Sequence, residues 1–203
     1  MENLAVHRFG DLLASLSEKS PAPGGGAAAG MLGATACALG GMVVAYSVGK
    51  KSLAEHEATL RAAAESLAAM RTQFLDLAAE DAEAYADLNR IQRLDANDPE
   101  RVASEPGALT RATAAPEAAR VLAMDLLALL ETLIGRTNKY LASDLAIAGV
   151  AAEAAASSAG WNVRINAPGL PEADRDEALS RVEEGDRLAR DTRARIESAC
   201  RAG

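Results

Sequence analysis

The sequence predicts an all-α fold, a single-domain antiparallel helix bundle spanning residues 1–203. Three observations predict it. Apolar residues recur at helical spacing in nearly every segment, and no segment shows the strict alternation of a strand. Hydrophobic residues make up 49% of the chain and aromatics only 3%, so the core is expected from closely approaching helices. No linker or internal repeat divides the 203 residues, a length that suits one core.

The elements follow in order. Phe9, Leu12, Leu13 and Leu16 mark a short first helix. Ser20-Pro21-Ala22-Pro23-Gly24-Gly25-Gly26 then forms a proline- and glycine-rich entry to an uncharged helix of small residues, Ala27 to Val48. Such an entry leaves unpaired N–H groups at a helix N-terminus, suited to a carbonyl or anionic group, and it serves equally as a rigid lead into a buried helix. It has neither the spacing of a Walker loop nor that of a dinucleotide fingerprint. Gly49 closes the helix, with Lys50 and Lys51 where a helix C-terminus favours cations.

A long amphipathic helix is expected from about Leu53 to Leu94. Turn formers from Asp95 to Pro99 and at Pro106-Gly107 predict a loop up to residue 115, and Pro116-Glu117 predicts the next helix start. Leu122, Leu126, Leu130 and Leu133 line its inner face up to Gly135. Ser143 is the expected N-cap of a second small-residue helix ending about Trp161. A loop through Asn166, Pro168, Gly169 and Pro171 leads to a charged last helix with Leu179, Val182, Ala189 and Ile196 inward.

Charge and cysteine usage exclude several classes. The net charge of −8, with no Lys/Arg cluster against it, speaks against nucleic acid. Cys37 and Cys200 form no disulfide or zinc pattern, which fits a reducing cytoplasm. The N-terminus lacks the basic and apolar regions of a signal peptide. Ala27–Val48 has the length of a membrane span, but its alanines and glycines fit a central buried helix better. With two histidines, His7 and His56, and no ligand spacing, neither a metal site nor a Ser-His-Asp triad is expected.

One residue breaks the pattern. Leu53, Leu60, Leu67, Phe74 and Leu88 recur at multiples of seven, and the missing seam position is Asp81. A carboxylate there must be ion-paired, hydrogen-bonded, protonated or facing a cavity. His56 on the same seam suits a structural role. Asp144 suits a first helical turn, and Asn138, Asn162 and Asn166 suit helix ends.

Taken together these residues resemble a known family. The ordered set is Pro21-Ala22-Pro23-Gly24-Gly25-Gly26, Gly49-Lys50-Lys51, Asp81-Ala82-Glu83-Ala84-Tyr85, Asn138 with Ser143-Asp144-Leu145, and Asn162-Val163-Arg164-Ile165-Asn166. It is similar to the cyclodeaminase/cyclohydrolase family of folate enzymes over nearly the whole chain. Departures from the family pattern are Ala27 after the glycines, Ser52-Leu53 after the lysines, and Tyr140. The resemblance implies a homodimer acting on a one-carbon unit carried by tetrahydrofolate, without metal or other cofactor. It implies Asp81, Asp144 and Lys50 as catalytic candidates. Pro23, Gly24, Gly25, Gly26, Lys51, Tyr85, Asn138, Ser143, Asn162 and Asn166 are the implied substrate contacts. Hydrolysis of 5,10-methenyltetrahydrofolate is the expected reaction, because these residues hold no formiminotransferase domain. Formiminotetrahydrofolate cyclodeamination and a non-catalytic helical oligomer are the alternatives.

Overall fold

A computed structural model describes residues 9–20 and 22–202; the predicted motif residue Pro21 and His7 lie outside them. Six α-helices account for most of it: α1 (Phe9–Leu16), α2 (Gly25–Ala45), α3 (Glu57–Gln92), α4 (Pro99–Thr132), α5 (Ala142–Asn166) and α6 (Glu172–Ala202). No strand occurs among the described residues. Helices α2, α3, α4 and α5 pack in a ring, each against the next and α5 back against α2, while α6 lies outside against α5 and α4. Successive helices run in opposite directions. The N-terminus of α2, the C-terminal part of α3, the start of α4 and the C-terminus of α5 therefore meet at one end.

Small residues let the ring close tightly. Gly30 and Gly33 of α2 face Ala78 and Phe74 of α3, and a methyl group at Gly33 would overlap the Phe74 ring. Phe74, Leu60, Leu67, Leu126, Leu130 and Leu133 fill the centre, each essentially without solvent contact. Deleting such side chains removes apolar burial and leaves a cavity, at roughly 2–5 kcal/mol each. Gly49 (φ 76°) and Gly135 (φ 70°) end α2 and α4 in the left-handed conformation that glycine adopts without strain.

Helix α3 starts at Glu57 rather than about Leu53, since Lys51–His56 forms a 3-10 turn before it, and two other boundaries differ from expectation. The loop expected up to residue 115 is short, because α4 starts at Pro99, where Asp98 accepts a capping bond from the Glu100 N–H at 2.8 Å. Pro106 and Pro116 lie inside this helix. A proline there leaves the carbonyl four residues back without its donor. At Pro116 that carbonyl belongs to Ala112, and Asn166 Nδ2 of α5 donates to it at 2.8 Å. The second difference is α5, which starts two residues earlier, with Leu141 rather than Ser143 as its cap, and continues to Asn166. Asn162-Val163-Arg164-Ile165-Asn166 is thus helical, and its two asparagines are one turn apart on one face.

Candidate functional site

The four helix ends enclose a cavity of about 580 Å³. The chain enters it through a cis Ala22–Pro23 peptide, and Gly24 caps α2 with no side chain to satisfy the first N–H groups. Gly24, Gly25 and Gly26 line one wall. None of the three has a positive φ, so the reason for glycine is space. A Cβ at Gly26 would overlap the Asp81 carboxylate, and one at Gly25 would touch Asn162 Oδ1 at 3.4 Å.

Helix α3 supplies the opposite wall. Asp81, Tyr85, Asn89 and Gln92 fall on one helical face and line the cavity over about 16 Å of axis. Helix α4 contributes Glu105, Leu109 and Ala112, and α5 contributes Asn162, Ile165 and Asn166. The end of α5 is held from behind, where Arg164 Nη2 donates to Asp186 of α6 at 2.8 Å and its guanidinium lies over the Trp161 ring. At the far wall, Arg101 Nε donates to Glu105 at 2.9 Å and Gln92 Nε2 donates to the same carboxylate at 3.2 Å. These bonds lower the Glu105 carboxyl below its ordinary value, the Arg101 bond contributing most.

Asp81 is in a different condition. Among the described residues it has no ion pair and no hydrogen bond, and burial alone pushes its carboxyl up to about 6. Asn162 adds a second unmet group, since its Nδ2 is buried without an acceptor. A desolvated carboxylate and an orphan amide donor across one cavity are groups waiting for a ligand. The only charged side chains on the described lining are Asp81 and Glu105, both acidic. Such a cavity favours a cationic reacting centre.

The predicted residues separate into two groups. Gly24, Gly25, Gly26, Asp81, Tyr85, Asn162 and Asn166 line the cavity, with Pro23 beside them in the chain. Lys50, Lys51, Asn138, Ser143 and Asp144 sit at the opposite end of the bundle, beyond α2, which is about 30 Å long. There Asn138 N–H donates to Ser47 Oγ at 2.8 Å, and Asn138 caps the short 3-10 turn Lys139–Leu141. Lys50 and Lys51 are exposed, and Ser143 and Asp144 lie in the first turn of α5. A single chain does not bring the two groups together.

Asn89, Gln92, Glu105, Leu109 and Ile165 were not foreseen. Counting the helical face onward from Asp81 would have found Asn89 and Gln92. Nothing in the sequence pointed to Glu105 or Leu109, because prolines hid the first half of α4. Among the described residues no cluster of His, Cys, Asp or Glu has the makings of a metal site.

Known proteins share this fold. The formiminotransferase-cyclodeaminase family profile matches residues 8–184. The chain is 34% identical over 186 residues to the methenyltetrahydrofolate cyclohydrolase of Methylorubrum extorquens, covering 90% of this chain and 87% of that protein. The crystal structure of formiminotetrahydrofolate cyclodeaminase from Thermotoga maritima superposes with a TM-score of 0.89 at 27% identity, covering 98% of each chain. A profile match over this much of the chain, on a fold shared end to end, settles its descent: the chain belongs to the formiminotransferase-cyclodeaminase family.

Proposed function

We propose that the protein hydrolyses 5,10-methenyltetrahydrofolate to 10-formyltetrahydrofolate. The observation that carries this reading is the unpaired, desolvated Asp81 carboxylate in a cavity whose described lining holds no cation. The substrate's one-carbon bridge is an amidinium cation, and an ionised Asp81 attracts it. The same carboxylate takes a proton from water as the oxygen adds to the bridge carbon. In the resulting carbinolamine, Asn162 Nδ2 and the free N–H groups at the start of α2 hold the new hydroxyl oxygen. Asp81 returns its proton to N5 as the C–N5 bond breaks, and the hydroxyl proton leaves as the formyl C=O forms. A group that titrates near 6 both accepts and returns a proton readily at neutral pH. The 34% identity to a named cyclohydrolase supports the choice.

The solved cyclodeaminase favours a second reading, closure of 5-formiminotetrahydrofolate with loss of ammonia by the same groups. The proposal includes a homodimer, supported by the exposed apolar residues of α5, and a cytoplasmic location, supported by the free cysteines Cys37 and Cys200; that the enzyme needs no cofactor is carried over from the family resemblance alone. The test is loss of methenyltetrahydrofolate absorbance beside ammonia release from the formimino compound. Faster loss than in buffer with no ammonia release is the expected result. Ammonia release alone would move the assignment to cyclodeaminase, and neither activity would refute both.

A further inference from the structure

The cavity has a second polar wall that the chemistry at Asp81 does not use. It lies where the end of α3 meets the first half of α4, about three turns along α3 from Asp81, and is built from Asn89, Gln92 and Glu105. Arg101 stands behind it, outside the cavity lining. Its Nε and Nη2 donate to the two Glu105 oxygens at 2.9 and 3.4 Å, and its Nη1 donates to the Gln92 and Leu94 carbonyls at 3.1 and 3.0 Å. Gln92 Nε2 donates to Glu105 at 3.2 Å, and Asn89 Nδ2 donates to the Tyr85 carbonyl at 3.0 Å. Each donor nitrogen at this wall is thus engaged within the chain. Acceptors are what it offers a ligand. Gln92 Oε1 and Asn89 Oδ1 hold no hydrogen bond among the described residues, and the bonds to Glu105 leave it one of about four acceptor positions.

Arg101 also decides the charge of the occupant. It already compensates Glu105, so a second cation gains little here, whereas neutral N–H groups meet oxygens that lack a donor. On the two antiparallel helices, Leu88 and Leu109 come between this wall and Asp81, an apolar slot suited to a flat ring. We propose that the wall binds the 2-amino-4-oxopyrimidine edge of a reduced pterin, whose N3–H and 2-amino group donate to Asn89, Gln92 and Glu105. That edge carries three N–H bonds in a row, one for each free oxygen. It lies across the ring from N5, which bears the one-carbon bridge, so a bridge held at Asp81 sends the edge along α3 towards Gln92. The identity of the ring rests on the folate reading, but the acceptor-lined wall does not. A site of this kind rejects a ring without those N–H groups, because its oxygens then lose water and gain no donor.

The test is the binding of two small rings, titrated by ligand-observed NMR. One is 6-methyltetrahydropterin and the other is the same ring with hydrogen in place of the 2-amino group. Neither carries a one-carbon bridge or a glutamate tail, so binding is read apart from turnover. The wild type is expected to bind the amino ring at least about tenfold more tightly. Glu105→Gln turns an acceptor into a donor and is expected to bind the two rings nearly alike. Gln92→Met, at an exposed position, is expected to weaken the preference in the same direction. Asp81→Asn, at the other end of the cavity, is expected to keep it. A wild type that binds both rings alike, or neither, would overturn the proposal, and this arm needs no variant to fold. A folded Glu105→Gln protein with the wild-type preference would overturn it too, as would loss of the preference in Asp81→Asn alone. A preference that depends on Glu105 in a protein that leaves methenyltetrahydrofolate unchanged would refute the one-carbon reading and leave the wall's assignment standing. Methenyl turnover without any ring preference would do the reverse.

Discussion

Replacing Asp81 by Asn should stabilise the protein at neutral pH while removing its turnover. Burial raises the Asp81 carboxyl from 3.8 to about 6. That gap corresponds to about 3 kcal/mol of disfavour for the charged form, and partial solvent contact reduces it to about 2 kcal/mol. The sign follows from linkage. The folded state holds the proton more tightly than the unfolded chain, so the native state is penalised above pH 6, the penalty shrinks between pH 6 and 4, and it vanishes below. Asparagine carries no such charge. Asp81→Asn should therefore raise Tm at pH 7.5 by about 4–8 °C, the scale for a domain of this size. At pH 4 the two proteins should melt nearly together. Thermal unfolding of both at the two pH values is the assay. A stability difference independent of pH, or an Asn variant less stable at pH 7.5, would refute the claim that Asp81 is held as a desolvated, unpaired carboxylate.

Further outcomes follow from the same geometry. If Asp81 acts ionised, log kcat/KM of the wild type should fall by about one per pH unit below pH 6 and level off above it, read from a pH profile at subsaturating substrate. Gly26→Ala places a methyl group on the Asp81 carboxylate and should lower kcat/KM at least about tenfold with little change in Tm. Gly25→Val should crowd Asn162 and raise the folate dissociation constant by calorimetry while melting stays near wild type; an equally tight complex in a less stable protein would make the turn a hinge only. Asn166→Ala strips the Ala112 carbonyl of its donor beside Pro116 and should lower stability by about 1–2 kcal/mol in urea.

The fold was largely legible because periodicity reports burial directly. The seam of Leu60, Leu67, Phe74 and Leu88 is the buried face of α3, and the gap in it at Asp81 marks the cavity. Prolines misled the reading of α4. Pro106 and Pro116 signal breaks when local donors are counted, but Asn166, 54 residues from Ala112, replaces one missing donor through a contact that local sequence does not carry. The glycine entry lines the cavity, and space is part of the reason. Its glycines were expected to leave free N–H groups at a helix start, and the structure uses Gly26 also to let the Asp81 carboxylate lie against the backbone. Sequence order also made Lys50, Asp144 and Asp81 look like members of one site. Antiparallel helices about 30 Å long separate them within a chain, and order along a sequence does not show which end of a helix a motif occupies.

The central claim is that the Asp81 carboxylate performs chemistry on a cationic one-carbon bridge, and a single-turnover experiment tests it most directly. Excess enzyme is mixed with 5,10-methenyltetrahydrofolate at pH 7.5, and the methenyl absorbance is followed for wild type, Asp81→Asn and buffer. Wild type should bleach the chromophore faster than buffer. The folded Asn variant should bleach it at least about a hundredfold more slowly than wild type, the loss typical of removing a positioned acid–base group. An Asn variant that bleaches at the wild-type rate would show that the proton moves through another group, and the account of this cavity would be wrong.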